Sequence, residues 1–314
     1  LRGRARIWIQ MAEELRSRAG GETRVGLLEP EAPTGRRRTP AVPPAYAAID
    51  LGTNNCRLLI ARPADDSFRV IDSFSRIIRL GEGIASTGRI GQAAIDRAIG
   101  ALSICSEKIQ TKGALRLRTI ATEACRAADN ADAFLGRVAE ETGIDLEIVD
   151  RETESSLAAI GCSPLLDAKA KGAILFDIGG GSTEVVRIER PQGRPDTAPV
   201  KGPWISLPLG VVTLAEHFGG IEVTEKSYVA MVDEVAKHLA PFASQHGRNL
   251  EGMHLLGTSG TVTTVAGVHL GLSRYDRRRI DGIWMDCADV SRAIARLQAM
   301  SYQERVGNGC IGTE

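Results

Sequence analysis

One short pattern occurs in both halves of this 314-residue chain, and it constrains the fold more than any other feature. In each half an apolar segment ends in an aspartate, Asp50 or Asp177, and a glycine-containing turn and a second apolar segment follow. Each copy then reaches a Leu-Gly pair, at Gly81 or Gly210. This order is typical of a strand, a tight turn and a second strand. Because an internal repeat fixes the architecture, we predict two like-folded domains that face each other across a cleft.

The repeat also sets the expected domain boundaries. Residues 1–44 are predicted to be a flexible basic extension, because their arginines and prolines oppose packing. The N-terminal domain is predicted over 45–168 and the C-terminal domain over 169–314. Apolar residues at three- and four-residue steps predict a helix near 91–110 in the first copy and near 224–243 in the second.

Composition narrows the classes of partner. The chain has 39 basic and 39 acidic residues, so no overall field attracts nucleic acid or an anionic membrane. No apolar run reaches the roughly 20 residues that span a bilayer. The six cysteines form no CxxC pair, which favours reduced thiols over a zinc site or a disulfide framework. We therefore expect a cytoplasmic protein with no nucleic-acid or membrane partner, and we leave open a homodimer.

The strongest local signal is the turn after Asp177, where three successive glycines precede Ser182 and Thr183. Backbone N–H groups without Cβ atoms around them can converge on an anion, and the two hydroxyls add donors. A flexible hairpin turn is the alternative, although hairpins need only one or two glycines. The turn at 52–54, after Asp50, is weaker alone because Asp and Asn are common turn residues. Together the two turns predict a phosphate clamp across the cleft.

Three further segments carry weaker signals. The small residues 257–261 end a predicted strand, where the amides of a following helix would point at an anion or nucleotide. Close packing of that helix on the strand explains them nearly as well. Arg126 also ends a predicted strand and could bind phosphate with two N–H groups, but an exposed salt bridge is an equal explanation. The acids of 150–154 suit a first helical turn, and a solvated face is their ordinary interpretation.

Five segments taken together resemble the exopolyphosphatase/guanosine pentaphosphate phosphatase (Ppx/GppA) family: AAIDLGTNN, TEACR, EIVDRETE, DIGGGSTE and GTSGT. Their order and spacing match over 46–314. The resemblance implies an α/β protein of two ribonuclease-H-like (actin-like) domains, with mixed sheets flanked by helices and an inter-domain cleft that binds Mg²⁺. Because the first residue is Leu and family members continue beyond the last residues of this sequence, we expect the sequence to be truncated at both ends.

The resemblance also implies roles for single residues. The second acid of the family's acidic segment falls on Glu154, which becomes the candidate general base, and Arg126 matches the family's cleft arginine near phosphate. Two departures occur: the family's Gly-Asn is 151–152 (Arg-Glu) here, and its arginine is Ser156. The candidate metal-associated acids are Asp50, Asp177 and Glu184. The candidate phosphate-binding residues are Gly52, Thr53, Asn54, Gly179, Gly180, Gly181, Ser182, Thr183, Gly257, Ser259 and Gly260.

These assignments predict a phosphohydrolase. It would release the terminal phosphate of inorganic polyphosphate, of guanosine pentaphosphate or of both, by Mg²⁺-assisted attack of water. Two alternatives remain open on the sequence. One is a non-catalytic sensor of phosphate chains or alarmones, and the other is an actin-like or sugar-kinase phosphotransferase that uses ATP.

Overall fold

A computed structural model describes residues 43–64, 67–194 and 197–311. The predicted extension 1–44, apart from its last two prolines, lies outside these residues. The strands are β1 (Ala45–Leu51), β2 (Asn55–Ala64), β3 (Ser67–Ile77), β4 (Ala114–Ala121), β5 (Glu147–Ile148), β6 (Gly172–Ile178), β7 (Thr183–Glu189), β8 (Val200–Leu207) and β9 (Met253–Thr258).

The helices follow the same division into halves. In the first they are α1 (Ile84–Thr87), α2 (Gln92–Lys112), α3 (Glu123–Ala127), α4 (Ala131–Thr142) and α5 (Arg151–Cys162). In the second they are α6 (Val211–Phe218), α7 (Glu225–His246), α8 (Gly260–His269), α9 (Arg277–Ile280), α10 (Cys287–Ala299) and α11 (Tyr302–Val306). Short 3-10 turns occupy Ser163–Leu165 and Pro191–Gly193. The helices predicted near 91–110 and 224–243 are α2 and α7, and each begins one residue later and ends two or three residues later than predicted.

Two mixed sheets form the framework, one in each half. The first has strand order β3-β2-β1-β4-β5 and the second has the order β8-β7-β6-β9. In both, the leading hairpin is antiparallel and the strand after the long helix joins the first strand in parallel. The predicted α/β class with two like-built halves is therefore confirmed. The division at 168/169 stays a prediction.

The core of the first half lies on one face of its sheet. Along β1, Ala45, Ala47 and Ile49 are buried while the residues between them are exposed, as the two-residue period of a strand requires. Helix α2 covers this face with Ile95, Ile99, Leu102 and their neighbours, and α4 packs beside it. The side chains of this core are apolar, so burial of one strand face and one helix stripe stabilises the half.

Helix α5 belongs to the first half by chain position but packs on the second sheet. It contacts β6, β7 and β8, and Ala159 lies in the second core with Leu175 and Ile188. The residues it covers are Ala173, Leu175, Val186 and Ile188, all nearly without exposed surface. Their counterparts in the repeat are Tyr46, Ala48, Leu59 and Ala61, all of which keep exposed surface, as the 37 % exposure of Tyr46 illustrates. The described part of the chain contains no helix that is both long and apolar enough to span a membrane.

Candidate active site

The two glycine-containing turns are in direct contact across the boundary between the halves. A Cβ placed on Gly180 would lie 3.0 Å from Thr53 Cβ and 3.2 Å from Asn54 N. On Gly181 a Cβ would lie 2.9 Å from Thr53 Oγ1. Contacts this short are tighter than nearly all those of real Cβ atoms, so a side chain at either position would force the two turns to shift apart. Glycine therefore suits the loop between β6 and β7 where the other half approaches it.

The two turns are built alike. Gly52 N donates to the Asn55 carbonyl at 2.9 Å, and Gly179 N donates to the Ser182 carbonyl at 2.9 Å. These four residues hold equivalent places after Asp50 and Asp177. The repeated Leu-Gly segments support both turns from behind: Gly81 N donates to the Thr53 carbonyl at 2.9 Å, and Val212 N donates to the Gly180 carbonyl at 2.8 Å.

Three carboxylates surround the place where the turns meet. Asp177 and Glu184 are directly paired across β6 and β7, and Asp50 is the next-to-last residue of β1 in the other half. Burial raises the pKa of Asp177 to about 6, with further repulsion from Glu184 and Asp50 and an opposing effect of Arg57. Burial likewise raises the pKa of Asp50. Carboxylates from the two halves are thus close enough to repel each other.

Glu184 has the least exposed surface of these acids, 2 % of the residue. Ser206 Oγ donates to Glu184 Oε1 at 2.9 Å. Burial raises the pKa of Glu184, while hydrogen bonds from the Ser206 and Ser182 hydroxyls lower it. Ser182 therefore serves the carboxylate in this structure. Thr183 Oγ1 donates to the Leu209 carbonyl at 2.7 Å, so both hydroxyls after the glycines are used within the fold.

Glu154 lies in the first turn of α5. The helix begins there because Asp150 caps it, accepting from Thr153 N at 2.6 Å. Arg126 Nη2 donates to Glu154 Oε2 at 2.7 Å. Burial raises the pKa of Glu154 to about 7, and Glu184 raises it further, whereas Arg126 lowers it. The Glu154 carboxylate is therefore within electrostatic reach of the acids at the two turns.

Arg126 is a buried clamp and not an exposed surface cation, since 14 % of its side chain is exposed. Its Nη1 donates to the Val149 carbonyl at 2.7 Å, and its Nε and Nη2 donate to Glu123 Oε2 at 3.0 and 2.8 Å. Nη2 also donates to Glu154, so each of the three guanidinium nitrogens donates to a protein acceptor. The alternative considered from sequence, an exposed salt bridge, is therefore wrong, because the salt bridges of Arg126 to Glu123 and Glu154 are largely buried. Arg126 as a phosphate ligand stays a prediction.

Two residues near the site were not singled out from sequence. Glu123 accepts from Arg126 and, through Oε1, from Arg151 Nη2 at 2.8 Å. Its Cγ would lie 3.2 Å from a Cβ on Gly181, so it lines the meeting point of the turns. The three-residue spacing of Glu123 and Arg126 on a helix is the signal that could have indicated their pairing.

Arg57 is the second such residue. It lies opposite Asp50 in the β1–β2 register. Its charge lowers the pKa of both Asp50 and Asp177, so its guanidinium is near acids of both halves. Its Nη2 would lie 4.0 Å from a Cβ on Gly260, at the start of α8. No local sequence pattern indicates that an arginine within a strand lies near these acids, because it reaches them only when the two halves pack together.

In the segment that leads into α8, Gly257 packs against neighbouring side chains, whereas Gly260 is exposed. A Cβ on Gly257 would lie 2.6 Å from Phe176 Cζ and 2.8 Å from Val262 Cγ1, so this glycine serves close packing of helix on strand. Ser259 has a φ of 91°, in the region that favours glycine, and its Oγ donates to the Ile178 carbonyl at 2.6 Å. Gly260 is exposed beside Arg57. Phosphate binding by these three residues stays a prediction.

The donor set at the turns suits Mg²⁺. Carboxylate oxygens are the protein ligands that this ion prefers, and a cation would offset the repulsion that raises the pKa of Asp177. Among the described residues, no three metal-type side chains converge closely enough to hold an ion alone. An ion bound by Asp50, Asp177 or Glu184 would therefore complete its shell with water and phosphate oxygens, as Mg²⁺ commonly does. The metal assignment stays a prediction.

Two like-built α/β halves with mixed sheets, joined where their Asp-headed turns meet, define an actin-like two-domain protein. The chain matches the sequence model of the Ppx/GppA phosphatase family over residues 59–302, and it belongs to that family. The resemblance inferred from the motifs is thereby confirmed.

Known relatives agree with this assignment. The chain is 30 % identical over 235 residues to a guanosine-5'-triphosphate,3'-diphosphate pyrophosphatase of Aeromonas hydrophila, covering 74 % of this chain and 45 % of that protein. It thus spans about half the length of the curated relatives it matches. A crystal structure of a Ppx/GppA family member of Aquifex aeolicus is similar with a TM-score of 0.66 and 27 % identity, covering 85 % of this chain and 82 % of that one. An exopolyphosphatase-like protein gives a TM-score of 0.77 and 26 % identity, with coverage of 86 % and 82 %.

Proposed function

We propose that this chain hydrolyses the terminal phosphoanhydride bond of a phosphate chain held where the two turns meet. The observation that carries the proposal is the position of Glu154. Its carboxylate is held by Arg126 at 2.7 Å, lies within electrostatic reach of acids from both turns, and has a pKa of about 7. A carboxylate with a pKa near neutrality is suited to accept a proton from water at ordinary pH.

In this mechanism, water attacks the terminal phosphorus in line with the bridging oxygen. A bond forms from the water oxygen to phosphorus, the bridging P–O bond breaks, and its electron pair stays with the shortened chain. Glu154 takes the proton of the attacking water. Assistance of this kind contributes about 10²–10⁴-fold to a rate.

The two turns would hold the phosphoryl oxygens. Backbone N–H groups of 180–182 and of Thr53 would supply donors that need no rearrangement during reaction, which is the most effective form of electrostatic stabilisation, whereas those of Gly52 and Gly179 already close their own turns. Asp50, Asp177 and Glu184 would hold Mg²⁺, which, when bound, offsets negative charge on phosphate oxygens. Arg126, through its bond to Glu154, keeps the carboxylate turned toward the turns.

The names of the relatives guide the choice of substrate. The relative in Aeromonas hydrophila is named for guanosine-5'-triphosphate,3'-diphosphate, and one structural neighbour is named exopolyphosphatase-like. We propose guanosine pentaphosphate, inorganic polyphosphate or both as substrates of this chain. All six cysteines, which lie within the described residues, are free, which suits the proposed cytoplasmic location. A homodimer stays a prediction.

Phosphate release tests the proposal directly. The chain is incubated with guanosine pentaphosphate or with long polyphosphate, each with Mg²⁺ and with EDTA. We expect release that requires Mg²⁺ from at least one substrate. Tight binding of both substrates without release would support a sensor instead. Phosphorylation of an added acceptor that depends on ATP would support a transferase.

A further inference from the structure

A lysine of the second sheet is bonded to the first turn of α5, the helix that carries Glu154. Lys201 lies on β8, and its Nζ donates to Ser156 Oγ at 2.8 Å and to the Glu152 carbonyl oxygen at 3.3 Å. Ser156 Oγ in turn donates to the same carbonyl at 2.7 Å. These groups close one small network on the side of α5 that faces the second sheet.

The ammonium group of Lys201 has a defined place. Its Nζ lies 4.8 Å from the centroid of the Trp204 ring, a distance at which a cation is attracted to an aromatic face. Burial lowers the pKa of Lys201, whereas the carboxylates of Glu152 and Asp150 raise it. A partly desolvated ammonium needs acceptors, and the Ser156 hydroxyl and the Glu152 carbonyl supply them.

Glu154 is thereby fixed from both halves of the molecule. Arg126, from the first half, holds the carboxylate itself at 2.7 Å. Lys201, from the second half, holds the backbone turn on either side of Glu154 through Glu152 and Ser156. A general base must stand in the correct place relative to the attacking water, and a displacement of about 1 Å can cost on the order of 100-fold in rate.

We propose that Lys201 is a positioning residue, which sets the first turn of α5 and so the direction of the Glu154 carboxylate. The inference rests on the proposed function of Glu154. Ser156, the residue that Lys201 contacts, is also one of the two departures from the acidic pattern that the chain otherwise shares with its family. The hydrogen bond from Lys201 thus requires a small side chain with a hydroxyl group at position 156 of α5.

The test compares Lys201→Met with Lys201→Arg and with the control Lys237→Met. Methionine keeps an unbranched apolar stem over Trp204 but loses the donors, whereas arginine restores a donor. Lys237 is an exposed lysine of α7 with 77 % of its side chain accessible. We expect Lys201→Met to lower kcat by about 10-fold or more with less than about a twofold change in KM, and Lys201→Arg to recover part of it.

Amide hydrogen exchange over residues 152–157 supplies a readout that does not depend on turnover. We expect faster exchange there in Lys201→Met and in Ser156→Ala, because the turn loses bonds that hold it closed. Ser156→Ala serves if Lys201→Met does not fold. Exchange and kcat equal to those of Lys237→Met would overturn the inference. If the wild-type chain releases no phosphate, the proposed function fails, and exchange alone decides whether Lys201 holds the turn.

Discussion

At the scale of single residues, the site depends on the ion pair between Arg126 and Glu154 and on its effect on the pKa of Glu154. Arg126 lowers the pKa of Glu154, but burial and Glu184 raise it more, and the balance is a pKa of about 7. A fully exposed glutamate would have its usual pKa near 4.3 and would be a weak base. Burial therefore makes Glu154 a stronger proton acceptor, and the ion pair keeps it in one orientation.

Replacement of Glu154 by glutamine tests its role as general base. The amide keeps the size of the side chain but cannot accept the proton, so we expect kcat to fall by about 10²–10⁴-fold. Binding of a non-hydrolysable phosphate chain, measured by calorimetry, should change little. Glu140→Gln is the control, because it makes the same change at an exposed glutamate of α4. Full turnover in Glu154→Gln would remove this residue from the mechanism.

The pH dependence of the rate provides a second test. Glu154 acts as a base only when deprotonated, so kcat/KM should rise with pH and level off above about 7. Arg126 lowers this pKa, and Arg126→Met should therefore move the rising limb to higher pH. A rate profile of both proteins from pH 5 to 9 measures the shift. An unchanged limb in Arg126→Met would show that another group controls it.

Sequence reasoning reached some of these residues and not others. Glu154 and Arg126 were found because they match a family motif, although local pattern alone suggested a solvated acid and an exposed arginine. Glu123 and Arg57 were missed, because their importance arises only when the two halves are assembled. Burial of a charged side chain depends on tertiary contacts, and no local sequence pattern encodes it.

At the scale of elements, the loop between β6 and β7 is shaped by the other half of the chain. Two of its three glycines, Gly180 and Gly181, lie against Thr53 and Asn54 of the other half, whereas a Cβ on Gly179 would lie 3.0 Å from the Ser182 carbonyl oxygen of its own turn. The repeat in sequence predicted that the two turns belong together. It did not predict that they touch, because closeness across a cleft is set by how the halves pack.

Gly180→Ala should separate the two turns. The added Cβ would stand 3.0 Å from Thr53 Cβ and 3.2 Å from Asn54 N, so the loop must shift by a few tenths of an ångström or more. We expect a loss of turnover of at least about 10-fold, since displaced donors no longer match the transition state. The control is Gly136→Ala in α4, where a Cβ meets nothing within 4 Å and should stabilise the helix by about 1 kcal/mol. Wild-type kinetics in Gly180→Ala would contradict the tight contact.

At the scale of the whole molecule, α5 does more than connect the two halves, because it forms part of the core of the second half. It follows β5 of the first sheet but covers Ala173, Leu175 and Val186 of the second. The boundary predicted at 168/169 was placed from one proline, two lysines and a glycine within residues 163–172. Those residues correctly indicate the end of one helix and the start of the next strand, but they do not indicate which sheet the helix packs on.

A fragment of the second half tests this dependence. Residues 169–314 alone would leave Leu175, Val186 and Ile188 without their cover, and each such side chain contributes about 1.5–3 kcal/mol when buried. We expect this fragment to lack a cooperative thermal transition by circular dichroism and to bind a hydrophobic dye. The fragment 149–314, which includes α5, should bind less dye and regain part of the transition. Cooperative melting of 169–314 at the temperature of the whole chain would rule out the dependence.

The crossing of α5 also bears on how the protein is made. A ribosome delivers a chain from its N-terminus, and folding begins on the parts already released. The helix that completes the second core is therefore synthesised before any strand of that core. When β6, β7 and β8 emerge, the segment that covers them has already left the ribosome, so the second core can close as soon as its own strands are complete.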